Sequence, residues 1–149
     1  MVQQVEAARI AQLAALFVRV FNAPPWDDGW SVEAAAERLG RLMAHPDFVG
    51  VSATDGSALV GFALGYTERW VRGSHFHLKE MCVDPAQQRG GIGGALLDGL
   101  VAELKGRGVD AVFLETRPGS PAASFYEKHG FKPLQLASFK LDLKAGETR

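Results

Sequence analysis

Ile10, Leu13, Ala14, Phe17, Val20 and Phe21 recur at intervals that fall on one face of a helix, so the chain opens with an amphipathic helix. The stretch "NAPPWDDGW" ends it, because two prolines and a glycine cannot continue a helical ladder. Ser31 is suited to cap a second helix, with Glu33 in its first turn and Leu39, Leu42 and Met43 on its apolar face. Residues 48–54 read as a strand, and Asp55-Gly56 is a hairpin signal. A second strand follows from about Leu59 to Arg69; Gly61 and Gly65 inside it point to bulges or close packing. A third runs from His75 to Val83, where Asp84-Pro85 ends it.

Leu96, Leu97, Leu100, Val101 and Leu104 form the apolar stripe of a further helix, which Gly106 and Gly108 close. "VDAVFLET" is mostly apolar and predicts a strand buried on both faces. "PGSPAASFYEKHGF" predicts a short helix with Ser120 as N-cap, Pro121 in its first position and Gly130 past its end. The alternation in "QLASFKLDL" predicts a last strand. Helices, an antiparallel meander and then a right-handed β-α-β crossover together imply a mixed sheet.

A chain of 149 residues suggests one domain, and 47% hydrophobic residues argue against disorder. The net charge of −1 gives no support for a nucleic-acid binder. Cys82 is the single cysteine, which excludes an intramolecular disulfide and a multi-cysteine metal site. No apolar run is long enough for a membrane span, and the first twenty residues lack the apolar core of a signal peptide, so a cytoplasmic protein is expected.

Four glycines, Gly90, Gly91, Gly93 and Gly94, stand at the start of the third predicted helix. Glycine there costs up to about 1 kcal/mol relative to alanine, so bare backbone must serve a purpose. A helix N-terminus offers unpaired N–H groups and a partial positive charge, and glycines let an anion approach them. A Walker loop is absent, and Leu96 stands where a dinucleotide fingerprint needs its third glycine.

The stretch "VDPAQQRGGIGGALL" resembles the acetyl-CoA signature of the GNAT superfamily of N-acetyltransferases, in Gln88, Gly91 and Gly93. "FYEKHGF" is similar to that family's second hallmark, an aromatic-Tyr pair on a helix closed by Gly-Phe. The resemblance runs from about the first helix to the last strand. It implies a GNAT-like α/β (α+β) fold: a mixed, mainly antiparallel central sheet flanked by helices, with a V-shaped opening between the two central parallel strands. It also implies that residues 1–149 are a single acetyl-CoA-dependent N-acetyltransferase domain, with acetyl-CoA as co-substrate and no metal. The N–H groups from Arg89 through Gly90, Gly91, Ile92 and Gly93 to Gly94 would cradle the pyrophosphate. The backbone of Met81, Cys82 and Val83 would pair with the pantetheine arm as an added strand does.

Acetyl transfer needs a neutral amine, a donor for the developing oxyanion and a proton for the leaving thiolate. By resemblance the attack is direct, and Tyr126 is the general acid beside the sulfur. Glu80 is the expected general base; Glu115 in "LETR" is a rival, since some relatives that modify protein N-termini carry an acid nearby. His77 is a third candidate, further back on the strand and, by simple alternation, on the face opposite Glu80. Two departures from the family pattern stand out: Gly119 replaces an asparagine that contacts the cofactor, with Ser120 beside it, and the family's first strand is short or missing.

In the fold that this chain resembles, the loop between the first two helices walls the acceptor site. Trp26 and Trp30 there offer an aromatic wall, and Asp27 and Asp28 attract a cation. With Glu80 and Glu115 they favour a small basic amine as acceptor. A peptide N-terminus or lysine, and a non-catalytic CoA-sensing module, are the alternatives. The expected partners are the amine and acetyl-CoA, with no nucleic acid or membrane; a homodimer is also open.

Overall fold

A computed structural model describes residues 1–88 and 90–144. Its first compact unit, Met1–Glu115, is built on a five-stranded sheet; Thr116–Arg149 forms a second. The sheet order follows the chain: β1 (Val2–Gln4), β2 (Phe48–Asp55), β3 (Ala58–Trp70), β4 (Gly73–Val83) and β5 (Ala111–Phe113). β1 to β4 pair antiparallel, and β5 pairs parallel to β4. The sheet is mixed, mainly antiparallel and flanked by helices, as expected. β1 is present but only three residues long.

Helices α1 (Ile10–Phe21) and α2 (Val32–Met43) cover one face. Leu13, Leu16, Phe17 and Val20 of α1 meet Leu39 of α2 over Phe62, Leu64 and Cys82 of the sheet. Ser31 caps α2 as its sequence foretold: its Oγ accepts from the Ala34 N–H at 3.0 Å. Helix α3 (Ile92–Gly106) packs on β2 and β3 and buries Leu96, Leu97, Leu100 and Leu104.

Two bulges interrupt the sheet. One lies where Ala53 opposes Gly61 while Thr54 opposes Leu59. The other lies opposite Leu64 and Gly65, which pair with Glu80 and Leu78 and leave Lys79 as the extra residue. Both border the glycines that broke the strand pattern. At Gly65 the need is steric: a Cβ there would run into the His77 carbonyl oxygen and the Phe76 ring.

Two expectations fail. "VDAVFLET" contributes three strand residues, half-buried, because β5 meets β4 only at His75, Phe76 and His77 and has no strand on its other side among the described residues. "QLASFKLDL" forms no strand; Leu136, Phe139, Leu141 and Leu143 are all exposed. Alternation makes a strand only where a sheet edge pairs with it, and this segment pairs with none among the described residues.

The second unit contains α4 (Pro121–Lys128), with Ser120 Oγ accepting from the Ala123 N–H at 3.1 Å and Pro121 at its start. Phe125, Tyr126 and Phe131 form an aromatic cluster, with Tyr126 5.3 Å from Phe125 and 5.4 Å from Phe131 between ring centroids.

Candidate active site

β4 carries the candidate chemistry. Directly opposed residues of an antiparallel pair share a face. Leu64 opposes Glu80 and Tyr66 opposes His77, so the Lys79 bulge brings His77 to the same face as Glu80. Simple alternation had placed it on the other. His77 is nonetheless engaged elsewhere: its Nε2 lies 3.2 Å from Glu68 and its ring stacks near Phe113.

Glu80 is 9% exposed and is tied to α2 through Arg38. Arg38 Nε donates to its Oε1 at 2.5 Å. Burial pushes the Glu80 carboxyl above the usual glutamate range; the Arg38 hydrogen bond, Arg38 charge and Lys79 charge pull it back in part, while Asp28 adds to the rise. Arg38, Leu42, Lys79 and Glu80 line an open cavity of about 180 Å³.

The loop before α2 forms the margin of this region. Trp30 packs edge-on against Phe17, with ring centroids 5.1 Å apart, and Asn22 fixes its backbone at both N–H and C=O. The Trp30 indole N–H donates to Asp28 at 3.2 Å, and the Arg38 guanidinium stands 5.7 Å from its ring centre. Trp26 is half-exposed on Phe21. Asp27 and Asp28 are both exposed, Asp27 with φ +48°, and it is the Asp28 charge that acts on Glu80. Arg38 is the residue that sequence reasoning missed.

β5 pairs with β4 only at His75, Phe76 and His77, so Leu78 to Val83 lie beyond that register. Met81 and Val83 are half-buried there. The Cys82 side chain points instead into the α1–α2 core, and burial raises its thiol well above the ordinary range. It is therefore a core residue and no nucleophile at neutral pH.

A short 3-10 turn, Pro85–Gln87, capped by Asp84, connects β4 to the glycine loop. Gln88 Nε2 donates to the Val83 carbonyl at 3.4 Å, and the Gly90 N–H donates to Gln87 at 3.1 Å. Arg89 lies outside the described residues. Gly91 caps α3 in the left-handed region, φ +78°, and a Cβ on it would meet nothing within 4 Å. The first helical bond runs from Ala95 to Gly91, and no side chain caps this end. The N–H groups of Ile92, Gly93 and Gly94 thus precede the first intrahelical bond and have no acceptor within the helix. That donor set fits a diphosphate.

Tyr126 belongs to the second unit, where burial raises its phenol to about 12. Glu115 is exposed at the end of the first unit. Among the described residues no group of three His, Cys, Asp or Glu is placed to hold a metal ion, and no helix is long and apolar enough to cross a membrane.

The model of the acetyltransferase (GNAT) family matches residues 12–131, and the chain belongs to that family. It is 47% identical over 55 residues to the [Ribosomal protein bS18]-alanine N-acetyltransferase of Escherichia coli (strain K12), a match covering 36% of this chain and 37% of that protein. The enzyme of the same name from Haemophilus influenzae is 25% identical over 135 residues, covering 91% of this chain and 83% of its own. Among solved structures, an aminoglycoside acetyltransferase from an uncultured soil metagenomic sample, in complex with sisomicin, superposes with a TM-score of 0.79 at 20% identity, over 97% of this chain and 96% of that one. A Trypanosoma brucei acetyltransferase gives 0.71 at 22% identity, over 96% and 99%. At these identities the structural likeness concerns the fold.

Proposed function

We propose that this chain is an acetyl-CoA-dependent N-acetyltransferase that acetylates a primary amine, in the first instance a small basic molecule. The observation that supports the reading is a shielded carboxylate on β4, Glu80, paired with Arg38, whose guanidinium faces the Trp30 indole that bonds Asp28, on the strand that precedes the glycine-rich start of α3. Acetyl-CoA supplies the activated acetyl group as a thioester. In this reading the amides of Ile92, Gly93 and Gly94 hold the diphosphate, and the backbone of Met81, Cys82 and Val83 orients the pantetheine arm. Glu80 takes the proton from the attacking amine, and Tyr126 donates its phenolic proton to the departing sulfur. The raised carboxyl of Glu80 suits a base, since its proton affinity lies closer to neutrality than that of an ordinary glutamate.

A second reading has a peptide α-amine as acceptor. It is favoured by the relatives named as ribosomal-protein alanine N-acetyltransferases, one of which aligns over 91% of this chain, and by Glu115 as an alternative base. CoA release measured over one panel tests both: polyamines and aminoglycosides on one side, peptides beginning with alanine on the other. Turnover of the small amines supports the first reading, and turnover confined to peptides replaces it with the second. CoA binding with no turnover on any amine would make the chain a CoA sensor.

A further inference from the structure

The cation now on Glu80 belongs to the chain itself. Arg38 Nε donates to Glu80 Oε1 at 2.5 Å, and the guanidinium lies 5.7 Å from the Trp30 ring centre. Asp28, joined to the Trp30 indole N–H at 3.2 Å, adds a second negative charge that acts on Glu80. A carboxylate, a second carboxylate and an aromatic face make a seat for an organic cation. The seat is shielded on the carboxylate side and open on the cation side: the Glu80 side chain is 10% exposed and that of Arg38 49%. Beside it lies the cavity between Arg38, Leu42, Lys79 and Glu80.

Resting on the reading of Glu80 as the acceptor-side carboxylate, we infer that Arg38 is a resident surrogate for the acceptor: its guanidinium holds the seat between Glu80 and Trp30 that an alkylammonium acceptor takes by displacing it. Such an exchange of one cation for another leaves the local charge unchanged. A neutral or anionic molecule entering in the same way would strand a shielded carboxylate without a partner, which is costly. Specificity for cationic acceptors follows from that asymmetry. So does release: the acetylated product is a neutral amide and cannot hold the seat against a tethered guanidinium. Lys79, on the cavity wall, remains throughout and disfavours a second positive charge close to the first.

The test reads binding and needs no turnover. Trp26 and Trp70 are exposed, so the double variant Trp26→Phe, Trp70→Phe leaves Trp30 as the sole fluorophore among the chain's three tryptophans. Methylguanidinium and 1,4-diaminobutane are titrated into it at constant ionic strength. Arg38→Ala in that background should tighten both on the order of tenfold, because the internal competitor is gone, and Arg38→Lys should bind as the parent does. Should Arg38→Ala not fold, Arg38→Met keeps the aliphatic stem and carries the same expectation. Equal or weaker cation binding in the folded alanine or methionine variant overturns the inference. Tightening without acetyl transfer to any amine supports the surrogate seat and overturns the enzymatic reading; transfer without tightening overturns the surrogate alone.

Discussion

Arg38 and Glu80 meet at 2.5 Å and tie α2 to the middle of β4, yet the carboxyl still binds its proton more tightly than an ordinary glutamate. Burial outweighs the guanidinium. Glu80's folded pKa is raised above its unfolded value, so its contribution to stability is fully present below the unfolded pKa and is lost as pH rises through the folded one. Glu80→Gln removes that titration. The unfolding free energy of the native chain minus that of Glu80→Gln should therefore decline as pH is raised from about 4 to about 8, a range that spans the unfolded glutamate pKa. Urea titrations at a series of pH values measure it, and a rising difference would mean that the ion pair dominates.

The same carboxyl and the Tyr126 phenol together set the rate profile. kcat/KM should rise with pH through the titration of Glu80, at higher pH than an ordinary glutamate would give, while the phenol at about 12 stays protonated across the working range. Tyr126→Phe should lower kcat by about 10²–10⁴-fold and leave the affinity for acetyl-CoA nearly unchanged, as expected for a lost proton donor. An unaltered kcat would assign the tyrosine to the aromatic cluster with Phe125 and Phe131.

Gly91→Ala should weaken acetyl-CoA binding without affecting the KM of the amine. At φ +78° any Cβ is strained by about 1–2 kcal/mol, and relief of that strain turns the cap and its neighbouring amides away from the anion. Calorimetric titration of acetyl-CoA reads the loss; unchanged affinity would remove this loop from the cofactor site.

Gly65→Ala should destabilise the chain by about 1–3 kcal/mol, the usual cost of overpacking, because the added carbon meets the His77 carbonyl and the Phe76 ring. The urea midpoint should fall with the slope unchanged. A neutral effect would show that the bulge relaxes freely.

Much of the frame is written in local patterns. Ser31 and Ser120 cap the helices their positions announce, the hairpin turns after Asp55, and the glycine run opens α3. These features depend on residues a few positions apart. Arg38 and Glu80 are 42 positions apart, and no spacing rule couples a helix residue to a strand residue at that distance. The face of His77 was illegible for a related reason: a bulge is a mismatch in count between two strands, and neither strand shows it alone. Gly65 signalled an irregularity without saying which neighbour carried the extra residue. Asp28 was singled out with Asp27, but only the three-dimensional placement, with Asp28 bonded to the Trp30 indole, separates the two.

Lys79 also changes how this strand must be aligned with others. Leu78 and Glu80 pair with adjacent residues of β3, so a chain lacking the lysine would keep every remaining side chain of β4 on its present face. A chain whose β4 is one residue shorter and carries no bulge would align with the gap at position 79. Set anywhere nearer the loop, that gap shifts the Glu80 column by one and matches a sheltered carboxylate to a residue on the other side of the sheet.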